Sequence, residues 1–218
     1  MKAPDVLYKC VSGLFADARL TPQQVVVESE IRLWMLDEAC VRRSFSADEV
    51  RAIEADPPYW AMCWPAGLGL AEHLLATPSL AAGRRVLDLG CGSGVVAIAA
   101  LVAGARDALA CDSDPLAREA VLANACMNGV TPRVADRVPD NERYDVALLA
   151  DVLYDPAHRW LVDLALGCAD EVWVADSRVA MWHHAGFRQV ACWPGRMVPA
   201  FETGPDFSVV RVWRSCRS

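Results

Sequence analysis

The chain has 218 residues, with 21 Lys plus Arg against 28 Asp plus Glu, a formal net charge of −7. That length fits one ordinary domain. Its 54% hydrophobic and 22% charged content excludes a disordered chain and leaves ample material for a core. The acidic balance disfavours neutralising a nucleic-acid backbone and suits basic proteins or cationic substrates.

Of the bases only Lys2 and Lys9 are lysines, so positive charge is carried by arginines without a basic run. The first residues, MKAPDVLYKCVSG, hold no long apolar segment, so no signal peptide is expected. The β-branched stretch Gln24–Leu36 reads as one or two short strands. Ser46 followed by Glu49 is a capping-box pattern that predicts a short helix, which Asp56-Pro57-Pro58 breaks.

From Arg84 onward strands and helices alternate. Arg84–Leu89 reads as a strand running into glycines, Val95–Ala105 as a helix, and Asp107–Asp112 as a second strand. Pro115–Asn128 reads as a helix with Asp114 as its N-cap and Gly129 as its stop. The segment TPRVADRV reads as a third strand. Tyr144–Tyr154 is a near-continuous apolar run, as in a central parallel strand. Pro156–Gly167 reads as a proline-opened helix and Glu171–Ser177 as a fifth strand. HHAGFRQVACW and FSVVRVWR read as a closing antiparallel pair. This alternation predicts an open α/β sheet with helices on both faces.

The nine cysteines are odd in number and none stands in C-x-x-C spacing, so they read as reduced, mostly buried thiols and predict neither a disulfide framework nor a zinc site. The four histidines add no ligand pattern. The longest apolar stretch, Val95–Gly104, is too short to span a bilayer. A soluble, cytoplasmic protein without a membrane partner is the expectation.

The strongest local signal is Val86-Leu-Asp-Leu-Gly-Cys-Gly-Ser-Gly94. Glycines between a strand and a helix let the chain turn sharply and let a ligand approach the backbone. A dinucleotide fingerprint would need glycine at position 95, which is Val95, and Asp88 would repel a pyrophosphate. That acid suits a ligand with an ammonium, such as the methionine part of S-adenosyl-L-methionine. Asp112 ends the next strand, where an acid can hold the hydroxyls of a ribose. The alternative is a plain tight turn with solvated acids. The strand context and the two spaced acids favour the ligand.

These residues resemble the class I, seven-strand S-adenosylmethionine-dependent methyltransferases. The segment from Pro57 to Gly67, with Glu30-Ile-Arg-Leu33 upstream and Asp151-Val-Leu-Tyr154 after the central strand, is similar to the electron transfer flavoprotein β-subunit lysine methyltransferase family. The resemblance implies a Rossmann-like, mostly parallel seven-stranded sheet over residues 57–218, preceded by an appendage over 1–56. It implies S-adenosyl-L-methionine as cofactor, met by Trp64, Asp88, Gly90, Cys91, Gly92, Gly94, Asp112, Ser113 and Asp136. Cys91 would contribute chiefly its backbone, and Asp136 would meet the adenine amino group. Asp151 would orient the acceptor amine and Tyr154 would line its channel. His183 and His184 read as surface or turn residues. The implied acceptor is a lysine of a protein, the electron transfer flavoprotein β subunit among them. A small amine or nitrogen heterocycle is the alternative, and a scaffold without turnover a third. The segment DSRVAMWHHAG departs from the Gly/Pro-rich character expected there, and an N-P-P-Y/F motif is absent at Asp151–Tyr154.

Overall fold

The computed structural model describes residues 3–15, 17–200 and 207–216. The chain opens with helix α1 (Asp5–Leu14), a hairpin of β1 (Leu20–Gln24) and β2 (Arg32–Leu36), and helices α2 (Glu38–Val41) and α3 (Ala47–Ala55). Ser46 and Glu49 form the expected capping box at the start of α3. Helix α4 (Pro65–Ala76) leads into β3 (Arg85–Leu89), α5 (Val95–Val102), β4 (Asp107–Cys111), α6 (Pro115–Met127), β5 (Arg133–Ala135), β6 (Val146–Ala150), α7 (Trp160–Cys168), β7 (Val172–Asp176), β8 (Phe187–Pro194) and β9 (Val209–Ser215).

One sheet of seven strands has the order β5-β4-β3-β6-β7-β9-β8. The five from β5 to β7 are parallel, and β9 and β8 pair antiparallel at the far edge. The chain fills the sheet leftward from β3, then crosses back to place β6 on its other side. The carboxyl ends of β3 and β6 therefore face a crevice, the point where open α/β sheets bind ligands.

Alternation along the strands divides the core. Val86, Ala108, Ala110, Val146 and Leu148 pack under α4, α5 and α6. Leu87, Leu89, Leu109, Ala147 and Leu149 pack under α7. A third cluster joins Leu7, Val11, Phe15 and Trp34 to Trp60, Ala117 and Ala120, so residues before position 56 lie against α6.

The differences from the sequence reading are local. The apolar run from Tyr144 to Tyr154 contains a strand of only five residues, because the chain leaves the sheet at Asp151, whose φ is +51°. The segment from Pro156 is split: a 3-10 turn over Pro156–His158, capped by the Asp155 side chain, precedes α7. The third parallel strand, β5, spans three residues, with the Arg133 guanidinium held by Asp107 and Glu142. Helix α1 had no counterpart in the sequence reading. All nine cysteines are free; Cys40, Cys63, Cys91, Cys111 and Cys168 are buried, whereas Cys126, Cys192 and Cys216 are exposed. No helix of the described residues is long and apolar enough to cross a membrane.

Candidate cofactor and acceptor site

A cavity of about 550 Å³ opens at the carboxyl ends of the parallel strands, within the size range of small-molecule sites. One wall is the turn after β3 together with Asp112, Ser113 and Asp136. The other is Asp151, Val152 and Tyr154 after β6, with Tyr59, Trp64 and Arg178 at the mouth. Of the residues singled out from sequence, Trp64, Gly90, Gly92, Asp112, Ser113, Asp136, Asp151 and Tyr154 line this cavity. Asp88, Cys91 and Gly94 are not among its lining residues.

The glycines divide their work. A Cβ added at Gly92 would meet no heavy atom within 4 Å, so the cavity has room at this backbone. A Cβ at Gly94 would fall 2.8 Å from Val121 Cγ2, so this glycine lets α6 pack against the start of α5. Asp112 shapes the loop: Gly92 N–H donates to its Oδ2 at 2.9 Å and Asp114 N–H to its Oδ1 at 3.0 Å. A carboxylate has about four acceptor positions, so lone pairs remain for a ligand. Burial pushes the Asp112 carboxyl up, and the two N–H donors pull it back.

Asp88 sits behind the loop, inside the turn that joins β3 to α5. It shares the sheet face of Val86, opposite Leu87 and Leu89, and is 1% exposed. Its Oδ2 accepts the Ala97 N–H at 3.0 Å, capping the first turn of α5 from inside. Desolvation, with Asp112 adding repulsion, raises its carboxyl from the ordinary 3.8 to about 7. Between about pH 4 and pH 7 the folded protein therefore holds a proton that the unfolded chain has released. The group's stabilising contribution is full below pH 3.8 and is lost as pH rises through about 7. Asp88→Asn keeps an oxygen for Ala97. It is expected to be more stable than the parent near pH 8, by roughly 2–4 kcal/mol, and to converge with it near pH 4. Scanning calorimetry across that range checks this, and equal stability near pH 8 would refute it.

At the far wall, two aspartates clasp the ends of β6 and β7 reciprocally. Asp151 Oδ1 accepts from Ser177 N–H at 2.8 Å and Ser177 Oγ–H at 2.7 Å, while its Oδ2 accepts the Ala66 N–H at 2.8 Å. Asp176 Oδ2 accepts the Leu153 N–H at 3.0 Å, and its Oδ1 accepts those of Arg178 and Val179. Burial, with Asp176 nearby, raises the Asp151 carboxyl to about 6. Three of its acceptor positions are committed to protein donors, so its first task is to hold three segments together at the cavity. Among the described residues it is the one non-glycine with positive φ, a local strain of the kind that clusters at functional sites.

The mouth is aromatic. The rings of Tyr59 and Trp64 lie 5.7 Å apart, Tyr59 and Tyr154 6.2 Å, and Trp64 and Phe207 5.9 Å. The Arg178 guanidinium sits 4.6 Å from the Tyr154 ring centre. Sequence reasoning missed Tyr59, Asp176 and Arg178 as site residues. The signal for Asp176 was its position at the carboxyl end of a parallel strand. His183 and His184 border a separate groove beside α7, where His184 stacks on Trp182. Among the described residues no cluster of three His, Cys, Asp or Glu could hold a metal ion.

The family model described as ribosomal protein L11 methyltransferase (PrmA) matches residues 72–177. The electron transfer flavoprotein beta subunit lysine methyltransferase of Danio rerio is 39% identical over 141 residues, covering 61% of this chain and 55% of that protein. The Rattus norvegicus protein of the same name is 35% identical over 156 residues, covering 67% of this chain and 60% of that one. The chain thus matches little more than half the length of these relatives. Among solved structures, a T. thermophilus 16S rRNA methyltransferase in complex with AdoMet and guanosine superposes with a TM-score of 0.61 at 15% identity, covering 92% of this chain and 51% of the other. That likeness shows the fold. Glycine loop, sheet order and these similarities together give the chain the fold and the sequence signature of the class I S-adenosylmethionine-dependent methyltransferases, to which it is similar.

Proposed function

We propose that this protein transfers a methyl group from S-adenosyl-L-methionine to a lysine side chain of a protein acceptor, of the kind for which its Danio rerio and Rattus norvegicus relatives are named. The observation that carries the reading is one cavity bordered by the Gly90–Gly94 loop and Asp112 on one wall and by Asp151 and Tyr154 on the other. The open space at Gly92 and the free lone pairs of Asp112 suit the cofactor's backbone and ribose. Ser113 and Asp136 suit its adenosine end. Trp64, whose indole N–H is tied to the Tyr59 carbonyl at 3.0 Å, suits the junction of cofactor and acceptor. When bound, the cofactor supplies an electrophilic methyl group on a sulfonium.

The chain's own task is positioning, which contributes up to about 7–11 kcal/mol in well-aligned reactions. A lysine must enter as the neutral amine, so its proton leaves to solvent before its lone pair attacks. Desolvation by the aromatic mouth and the Arg178 charge both favour the neutral form. The bound cofactor would supply both the methyl group and, at its sulfur, the place for the electron pair released on transfer. Tyr154 and the loop held by Asp151 fix the approach. The exposed acids Asp136 and Asp140 at the rim suit a basic protein surface and work against a nucleic-acid backbone. A reducing, cytoplasmic setting is supported by the nine free thiols.

The aromatic mouth also favours a second reading, a small amine or heterocycle as acceptor. Incubation with methyl-labelled S-adenosylmethionine and purified electron transfer flavoprotein is expected to label lysine of its β subunit. Label confined to the small-molecule fraction of a lysate would replace the first reading with the second. No label anywhere, with no binding of S-adenosylhomocysteine by calorimetry, would overturn both.

A further inference from the structure

Asn124, in the last turn of α6, is wholly buried and has no place among the cavity residues. Its Oδ1 accepts the Trp34 N–H of the N-terminal hairpin at 2.7 Å. Its Nδ2 donates to the Ser93 carbonyl of the glycine loop at 2.9 Å. One partner can only donate and the other only accept, so the orientation of the amide follows from them.

The Ser93 carbonyl lies just outside the hydrogen-bond ladder of α5. Ile98 N–H bonds the Gly94 carbonyl, and Ala97 N–H is taken by Asp88. The peptide plane is rigid, so holding the Ser93 oxygen also aims the Gly94 N–H, which donates to the Cys91 carbonyl at 2.7 Å. The loop is thus pinned by three side chains: Asp112 at Gly92, Asp88 at Ala97 and Asn124 at Ser93. One turn further along α6, Asn128 binds the same hairpin through the Arg32 N–H and carbonyl, at 3.0 and 2.7 Å. No hydrogen bond joins Asn128 to the loop among those described.

We infer that Asn124 is a positioning residue that sets the glycine loop for the cofactor by tying it to the N-terminal hairpin; the inference rests on the proposed cofactor role of that loop. Asn124→Asp keeps an acceptor for Trp34 but turns an oxygen toward the Ser93 oxygen, and Asn124→Ala removes both contacts. Asn128→Ala removes the bonds to Arg32 and one to the Asn124 carbonyl, and leaves both side-chain bonds of Asn124 in place.

The measurements are the dissociation constant of S-adenosylhomocysteine, taken well below each variant's melting temperature, and amide hydrogen exchange over residues 92–95 in the free protein. Both Asn124 variants are expected to bind about tenfold more weakly or worse, with faster exchange in the loop, whereas Asn128→Ala stays within about threefold of the parent. An unchanged dissociation constant in Asn124→Asp overturns the inference, and so does an equal loss in Asn128→Ala. If the parent fails to bind, the cofactor reading falls, and unchanged loop exchange in both Asn124 variants then refutes the positioning role separately.

Discussion

Asp151→Asn is expected to lower methyl transfer about 100-fold while S-adenosylhomocysteine binding stays within about threefold, because small displacements of a reacting geometry cost that much. The carboxylate accepts on both oxygens, from Ala66 on one side and Ser177 on the other. An amide can accept on one side only. Its NH₂ must face either the Ala66 N–H or the Ser177 N–H, and the end of β6 then parts from one neighbour. Asparagine tolerates the left-handed backbone at this position, so the substitution tests the hydrogen bonds and not the turn. Asp151→Ala leaves buried N–H groups on both sides unpaired, at about 1–3 kcal/mol each. It is expected to melt lower as well as turn over more slowly. Kinetics with labelled cofactor beside calorimetric binding separates the effects, and a turnover within about fivefold of the parent would sink the assignment.

Gly92 and Gly94, two residues apart with positive φ of +48° and +78°, should fail in different ways. Gly92→Ala is expected to cost about 1–2 kcal/mol of stability for its left-handed backbone. Its new methyl points into open space on the cavity wall, so cofactor affinity should fall by about 30-fold or more, the loss of a close approach to backbone. Gly94→Ala drives a methyl to 2.8 Å from Val121 Cγ2. It should destabilise by about 2–4 kcal/mol through overpacking and backbone strain together. Val121→Ala in the same chain should return part of that loss. Melting curves and calorimetric binding on both variants give the comparison. Strong binding by a well-folded Gly92→Ala protein would place the cofactor away from this loop.

The sheet was legible because its parallel strands are near-continuous apolar runs ending in turn residues, and the Gly90–Gly94 loop because no other element needs glycines at alternate positions between strand and helix. The face that Asp88 takes was legible in the alternation of its strand. Leu87 and Leu89 face α7, so Asp88 between them must face α5, away from the cavity. Arg178 was not legible: a charged residue after a strand reads the same whether it faces solvent or an aromatic ring. Helix α1 was not legible either, since Leu7 and Val11 alone mark its buried face. Asn124 is a third case. A polar residue inside a helix declares its partners only when strand β2 and the loop at Ser93, distant in sequence, are brought to it.

The reciprocal bonds of Asp151 and Asp176 make the turns after β6 and β7 a single rigid jaw. Neither turn can swing without breaking the other's anchor, and Tyr154 and Arg178 travel with them. The Asp151 bond to the Ala66 N–H ties the segment after Trp64 to the same jaw, so three distant stretches of chain share one anchor.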